Sequence, residues 1–345
     1  MASAPSTIQL PTNTEISGRN LHSGVPAFRL IDGQLGQVKK LVTKQLVETA
    51  QTEEVNRLLE PRLVGTRGGK MLRPGLVLLA GASCGRITSE HIRVAAVIEM
   101  IHNATLLHDD VIDEGKTRRG LPTVNSLWGN QSAVLLGDFL LGRVLKMCAD
   151  LEPWIARVIA TAAVRVCEGE LRQAAQRQNW QLSETQYLEI ITEKSAALFS
   201  CCCYLGGLLA RASESEARSL ADFGLNAGIA FQITDDLLDI IGDESKTGKT
   251  LGSDVDKNKP TLAVIHFLKT AQETDITEIK SKLTTAGASK KVLAEMLSRY
   301  GSLEYARTRA DEFAARAVQA LADLKKSDAR DALSETAKFM ASRIT

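Results

Sequence analysis

From about residue 30 onward, apolar positions recur every third and fourth residue, as in Ile92, Ala95, Ala96 and the run from Ile98 to Ile101. That spacing puts them on one face of a 3.6-residue turn and predicts helix after helix. Sustained two-residue alternation is absent, so few segments read as strands. Polar breaks fall at 64–70, 85–90, 113–123, 177–184, 212–216 and 242–261. Thr88-Ser89-Glu90 and Leu182-Ser183-Glu184 offer capping side chains before apolar runs, and the chain from Ser289 reads as two or three amphipathic helices. No repeat of solenoid length occurs. The expectation is an all-α fold: a flexible tail over 1–28, rich in Ser, Thr, Pro and Asn, then one large helical domain over 29–345.

Composition narrows the partners. The 345 residues are 44% hydrophobic, enough for a sizeable core. Lys and Arg number 42 against 41 Asp and Glu, so there is no electrostatic footprint for nucleic acid, and any phosphate binding must be local. No window reaches the roughly 18 apolar residues that a bilayer span needs. Peripheral membrane contact for release of an apolar product stays open. Six cysteines include the run Cys201, Cys202, Cys203, which fits neither a disulfide framework nor a zinc knuckle and reads as reduced core residues of a cytoplasmic protein. The tail carries a single Arg19 beside Glu15, which argues against a transit peptide.

The candidate chemistry lies in two acidic phrases, "LLHDDVIDEG" at 106–115 and "DDLLD" at 235–239. Asp109 and Asp113 are four apart, as are Asp235 and Asp239, so each pair shares a helix face with side chains about 5 to 6 Å apart. Like charges at that spacing weaken a helix, and each cluster falls where its helix ends, at the negative pole of the dipole. A counter-cation is implied, and hard oxygen donors select Mg²⁺, an ion that shares itself with substrate phosphates. Basic residues flank both phrases: Lys70 and Arg73 in "GGKMLRP", Arg118 and Arg119 in "GKTRRG", and Lys246, Lys249, Lys257 and Lys259 after the second cluster. Acids, magnesium and arginine forks together describe a site for diphosphates, and two separate basic groups suggest two of them.

These residues resemble the trans-type isoprenyl diphosphate synthase family, the polyprenyl synthases, over roughly residues 40–270. The resemblance implies the isoprenoid synthase-like fold, a helical bundle around a central cavity. It implies that Asp109, Asp110, Asp113, Asp235, Asp236 and Asp239 hold a cluster of three Mg²⁺ ions on an allylic diphosphate. Lys70, Arg73, His102 and Arg119 resemble the isopentenyl diphosphate pocket, Arg118 the arginine that reaches the allylic diphosphate, and Lys194, Ser195, Gln232, Lys249 and Lys259 positions near the allylic group. Asp109, Asp113, Lys194, Gln232 and Asp235 would then carry the catalysis, in a homodimer. Three positions depart from the family's pattern: Met71 where a basic residue is common, Ser195 where Thr is usual, and Asn258 where Gly is usual, although Asn tolerates the left-handed conformation.

Product length should follow how far an apolar tail descends beside the helix of the first motif. Thr105 and Ala104 lie about 6 to 8 Å beneath Asp109, with Met100, Ile101 and Val97 below them. By resemblance, short-chain enzymes close this path with Phe or Tyr at one of the first two positions. This sequence has neither, which points to a heptaprenyl to decaprenyl product for quinone side chains. A geranylgeranyl or farnesyl product is the alternative, should Ala104 merely pack or Phe139 or Phe199 form a floor. A regulatory subunit is the alternative outside enzymes, though such subunits lose motif residues that are present here. His108 faces about 100° away from Asp109 and is expected to pack or hydrogen-bond. Gly224 and Gly228 would permit close helix contact, Phe223, Ala227 and Phe231 would form a core stripe, and Glu168 and Glu170 read as helix surface, although by resemblance polar residues often lie near the pocket there.

Overall fold

The computed structural model describes residues 25–47, 69–242, 257–284 and 290–343. A 3₁₀ turn, Pro26–Ile31, runs into α1 (Asp32–Val47); then come α2 (Leu72–Cys84), α3 (Ser89–Ile112), α4 (Val124–Ala149), α5 (Pro153–Ala175) and α6 (Glu184–Ile191). A π-helical turn, Thr192–Ala196, leads without a break into α7 (Ala197–Leu209). The remainder comprises α8 (Glu214–Ile241), α9 (Leu262–Thr270), α10 (Glu273–Thr284), α11 (Lys290–Arg299), α12 (Ser302–Ala320) and α13 (Asp328–Ala341). Val25, Ala27 and Phe28 are buried, Phe28 at 1% exposure, so apolar burial holds the described chain from Val25.

The starts of the helices follow their sequence signals. Ser183 caps α6 and Ser213 caps α8, each in a reciprocal exchange with the side chain three residues on. Thr88 opens α3, its backbone N–H donating to Nδ1 of the buried His91, whose Nε2 faces the carbonyl of Gly206 at 3.1 Å. The long helix α8 serves two apolar cores. Phe223 and Ala227 join one, with Leu76, Ile98, Leu136 and Phe199. Ile233 and Leu237 join the other, with Tyr187, Val264, Leu297 and Phe313.

Close approach of α7 and α8 depends on glycine: a Cβ on Gly224 would stand 2.5 Å from the carbonyl oxygen of Phe199, and one on Gly228 2.7 Å from Cα of Ala196. Cys201, Cys202 and Cys203 are buried free thiols on α7, and burial pushes Cys201 up to about 12. Phe231, expected in the core stripe, is only half-buried. Among the described residues the only strands form one small hairpin, β1 (Thr117–Arg118) with β2 (Leu121–Pro122). Its turn residues Arg119 and Gly120 both have positive φ, 54° and 73°, the backbone of a two-residue hairpin loop whose twist suits the strands. Helices α4 and α5 also leave large apolar side chains in solvent: Leu135, Leu141 and Leu145 on the first, Val164 and Leu171 on the second. No helix among the described residues is long and apolar enough to cross a membrane.

Candidate active site

The first acidic motif occupies the last turn of α3, with Asp113 as its C-cap. Burial pushes Asp109 up to about 6; Lys194 opposes that shift, and Glu170 and Asp113 add to it. Asp110 behaves differently. Its carboxylate takes a forked contact from Arg118, with Nε at 3.0 and 3.1 Å and the terminal nitrogen at 2.7 Å. Burial alone would pull the Arg118 guanidinium down, yet the bonds to Asp110 and the charges of Asp109 and Asp235 raise it. Asp113 faces Lys259 Nζ at 3.1 Å and Arg177 at 4.0 Å.

The second motif ends α8. Asp235 meets Arg343, just beyond α13, at 3.6 Å. Asp236 accepts hydrogen bonds from the Tyr187 hydroxyl at 2.6 Å and the Gln232 amide at 2.7 Å, and Asp239 is buried. Arg73 and Arg118 each lie within the fields of both Asp109 and Asp235. Acids 126 residues apart in the chain (235 against 109) thus act on the same two guanidinium groups.

The basic groups are mounted on rings. Arg73 lies over Phe199 at 4.4 Å, Arg343 over Phe231 at 3.9 Å and Lys70 over Phe339 at 4.8 Å, while Phe199 and Phe231 touch each other with centroids 5.3 Å apart. A ring face holds a cation in place while leaving its N–H groups able to turn to an anion. Arg73 keeps a buried Nε with no hydrogen-bond partner, which suits a group waiting for an anionic ligand. Arg119 covers Gly69, where an added Cβ would stand 2.8 Å from its guanidinium. Burial, then Arg73, Arg119 and Arg118, drive His102 well below the usual imidazole range, so it is a neutral hydrogen-bonding group here. Arg73 and Arg119 thus both act on His102, while Lys70 lies in the fields of Arg343 and Asp235.

Helix α5 clamps the π-helical turn. Arg165 forks onto Glu193 at 2.6 and 3.0 Å, and Lys194 Nζ pairs with Glu170 at 2.5 Å and Gln173 Oε1 at 2.6 Å. A Cβ on Gly169 would stand 2.2 Å from the backbone nitrogen of Lys194. Ser195 Oγ donates to Gln232 Oε1 at 2.5 Å. Asn258 has φ 53°, the left-handed conformation anticipated for it. Lys246 and Lys249 lie outside the described residues.

The path beneath Asp109 is narrower than its composition suggests. Met100 and Ala104 are fully buried and Ile101 is 3% exposed; only Thr105 is half-open, its hydroxyl on the His102 carbonyl at 2.9 Å. Phe199 sits beneath Arg73, its side chain fully buried. His108 contacts the Val134 carbonyl and Asp138, away from the acids, as expected. Sequence reasoning missed Glu99, a buried acid that burial pushes up to about 7 against the pull of Arg73 and Arg119. It also missed Tyr187, Arg177 and Arg343, and read Glu170 as surface. The pairing of Glu170 with Lys194 had no local signal, since it crosses from one helix to another; Tyr187 was visible only as one more apolar-face residue.

The oxygen-only acids fit a hard divalent ion. Asp109, raised first by burial and further by Glu170 and Asp113, is a group that a cation would relieve. Among the described residues no three His, Cys, Asp or Glu side chains form a ready metal cage.

Comparison with known proteins agrees with this geometry. The family model for polyprenyl synthetase matches residues 56–300. An all-trans-nonaprenyl-diphosphate synthase from Rhodobacter capsulatus is 38% identical over 80% of this chain and 86% of its own length. A short chain isoprenyl diphosphate synthase from Methanothermobacter thermautotrophicus is 36% identical over 81% and 87% respectively. A polyprenyl synthase from Caulobacter crescentus, solved with calcium and isoprenyl diphosphate, superposes with a TM-score of 0.88 at 31% identity, covering 95% of this chain and all of that one. Fold and relatives together define an all-helical prenyltransferase. More specifically, the chain belongs to the polyprenyl synthetase family, the trans-type isoprenyl diphosphate synthases.

Proposed function

We propose that this synthase elongates an allylic diphosphate with isopentenyl diphosphate to a long, heptaprenyl to decaprenyl chain, in a Mg²⁺-dependent reaction. The convergence of Asp109 and Asp235 on Arg73 and Arg118 carries the reading. Asp109, Asp113, Asp235 and Asp239 are the ligands that fit, two from each helix end. A cluster of Mg²⁺ ions there would neutralise charge on the departing diphosphate. Lys194 and Lys259 add positive charge on that side. Lys249, by its place in the sequence motif, is proposed as a further phosphate-binding residue. Lys70, Arg73 and Arg119 grip the second diphosphate, and neutral His102 orients it by hydrogen bonding. Its double bond is then held beside the allylic carbon, and fixing two charged substrates at close range supplies much of the rate.

Thr105, small and half-open, supports the long product by leaving no aromatic stop beneath Asp109. The full packing of Ala104 and Met100 favours the competing geranylgeranyl-length product. Incubating the purified chain with isopentenyl diphosphate, several allylic primers and Mg²⁺, then chromatographing the dephosphorylated products, separates the two. Failure to elongate any primer would leave the regulatory-subunit reading. The solvent-facing leucines of α4 and valine and leucine of α5 form an apolar face suited to a second copy of the chain, hence a homodimer.

A further inference from the structure

Asp236 and Tyr187 lie beside the acidic site, yet their geometry fits a different task from ion binding. One position along an α-helix turns a side chain by about 100°, so Asp236 is turned away from Asp235. It is buried, at 7% exposure, and points at α6. Each of its oxygens receives a protein donor: the Tyr187 hydroxyl at 2.6 Å on Oδ2 and the Gln232 amide nitrogen at 2.7 Å on Oδ1.

The chain of bonds continues inward. An ionised carboxylate only accepts, so it fixes which end of the Gln232 amide faces it. Nitrogen must point at Asp236, and Oε1 is thereby presented to Ser195, whose hydroxyl donates to it at 2.5 Å. Ser195 is the neighbour of Lys194 on the π-helical turn. Two rigid donors on a buried anion make strong, charge-assisted bonds that a metal ligand would have to break.

We propose that Tyr187 and Asp236 are a positioning pair, which orients Gln232 and the Lys194–Ser195 turn, and that Asp236 is not an ion ligand. The proposal rests on the metal reading above. Replacement by asparagine at 236 keeps an acceptor for Tyr187 but offers N–H₂ to Gln232, reversing its amide and breaking the presentation to Ser195. Replacement of Tyr187 by phenylalanine removes one donor at constant shape.

The test combines two readouts on the full chain. Binding of Mn²⁺ in the presence of inorganic pyrophosphate, followed by electron paramagnetic resonance, should give Asp236→Asn and Tyr187→Phe the same ion count and affinity as the parent, while Asp235→Asn loses an ion. Turnover of both variants should fall by about tenfold, the usual loss when an orienting partner of a site is removed, with the KM for isopentenyl diphosphate unchanged. A purely structural role would lower the melting temperature without that split. Loss of an ion in Asp236→Asn, or parental kcat in Tyr187→Phe, would overturn the pair. Absence of pyrophosphate-dependent Mn²⁺ binding by the parent would instead sink the metal reading, and the kcat of Tyr187→Phe would still decide the positioning role.

Discussion

Lys259 Nζ stands 3.1 Å from Asp113 Oδ1, closing 146 residues of chain. Lys257, two residues earlier, donates to the Ile112 carbonyl at 2.6 Å. The segment after the second acidic motif is thus fastened to the end of the helix that carries the first. Lys259 is 7% exposed at its side chain, so the contact is little screened by solvent and removing either partner leaves a poorly solvated charge.

Lys259→Met should therefore leave Asp113 facing Arg177 alone and loosen that junction. We expect turnover to fall by about ten- to a hundredfold. Steady-state kinetics across a Mg²⁺ titration checks this, and an unchanged kcat would refute a role for the junction in the reaction.

Gly169→Ala places a methyl group against backbone, 2.2 Å from the nitrogen of Lys194. Backbone cannot rotate aside as a side chain can. The expected loss is about 1 to 3 kcal/mol of stability, with Lys194 displaced from Glu170 and Gln173. Thermal melting and kcat should fall together; a stable, fully active variant would contradict the packing.

Asp109 sits near 6 in the ion-free protein, raised first by burial. A ligand must be ionised, so ion affinity should weaken as pH drops below about 6, and loading at pH 6 should release about half a proton from Asp109 that loading at pH 8 does not. Calorimetry in buffers of different ionisation enthalpy measures that proton. Asp109→Asn should abolish both the release and turnover.

Glu99 has a folded-state value of about 7 against an ordinary 4.5. The folded protein then binds the extra proton between those values, so Glu99 destabilises the fold progressively as pH rises from about 4.5 to 7, by about 3 kcal/mol in all. Denaturant titrations should show Glu99→Gln with a shallower decline across that window than the parent. Parallel curves would remove the assignment.

Leu145 is 72% exposed and Leu171 71% exposed on adjacent helices. Leu145→Glu should convert a dimer to monomer in sedimentation velocity, because an unpaired carboxylate cannot enter an apolar interface. A parent chain that sediments as a monomer would rule out this face as a contact between copies.

How much of this was legible beforehand depended on whether the determinant was local. The helical run through Ile92 to Ile101, the cap at Ser183 and the paired aspartates at four-residue spacing all reside within one segment, where period and capping rules act. The left-handed residue at Asn258 was legible for the same reason. The hairpin of Thr117 to Pro122 was not, since Arg-Gly is an unusual spelling for its turn and four paired residues leave no alternation to detect. Arg343 under the field of Asp235, Glu170 on Lys194 and Tyr187 on Asp236 each join distant helices, and only the packed bundle brings them together. The burial of Ala104 belongs here too: a small residue announces space, but neighbouring helices had already taken it.

The π-helical stretch Thr192–Ala196 has a consequence for how the molecule can change over time. Such a widened turn amounts to one residue more than a regular helix would hold. The turn absorbs its extra residue, so Phe199 keeps the face it would have on an uninterrupted helix and the widening acts locally. It falls on Glu193, Lys194 and Ser195, whose side chains meet Arg165, Glu170, Gln173 and Gln232. Deleting one residue here should thus undo that presentation while leaving the ring beneath Arg73 in place.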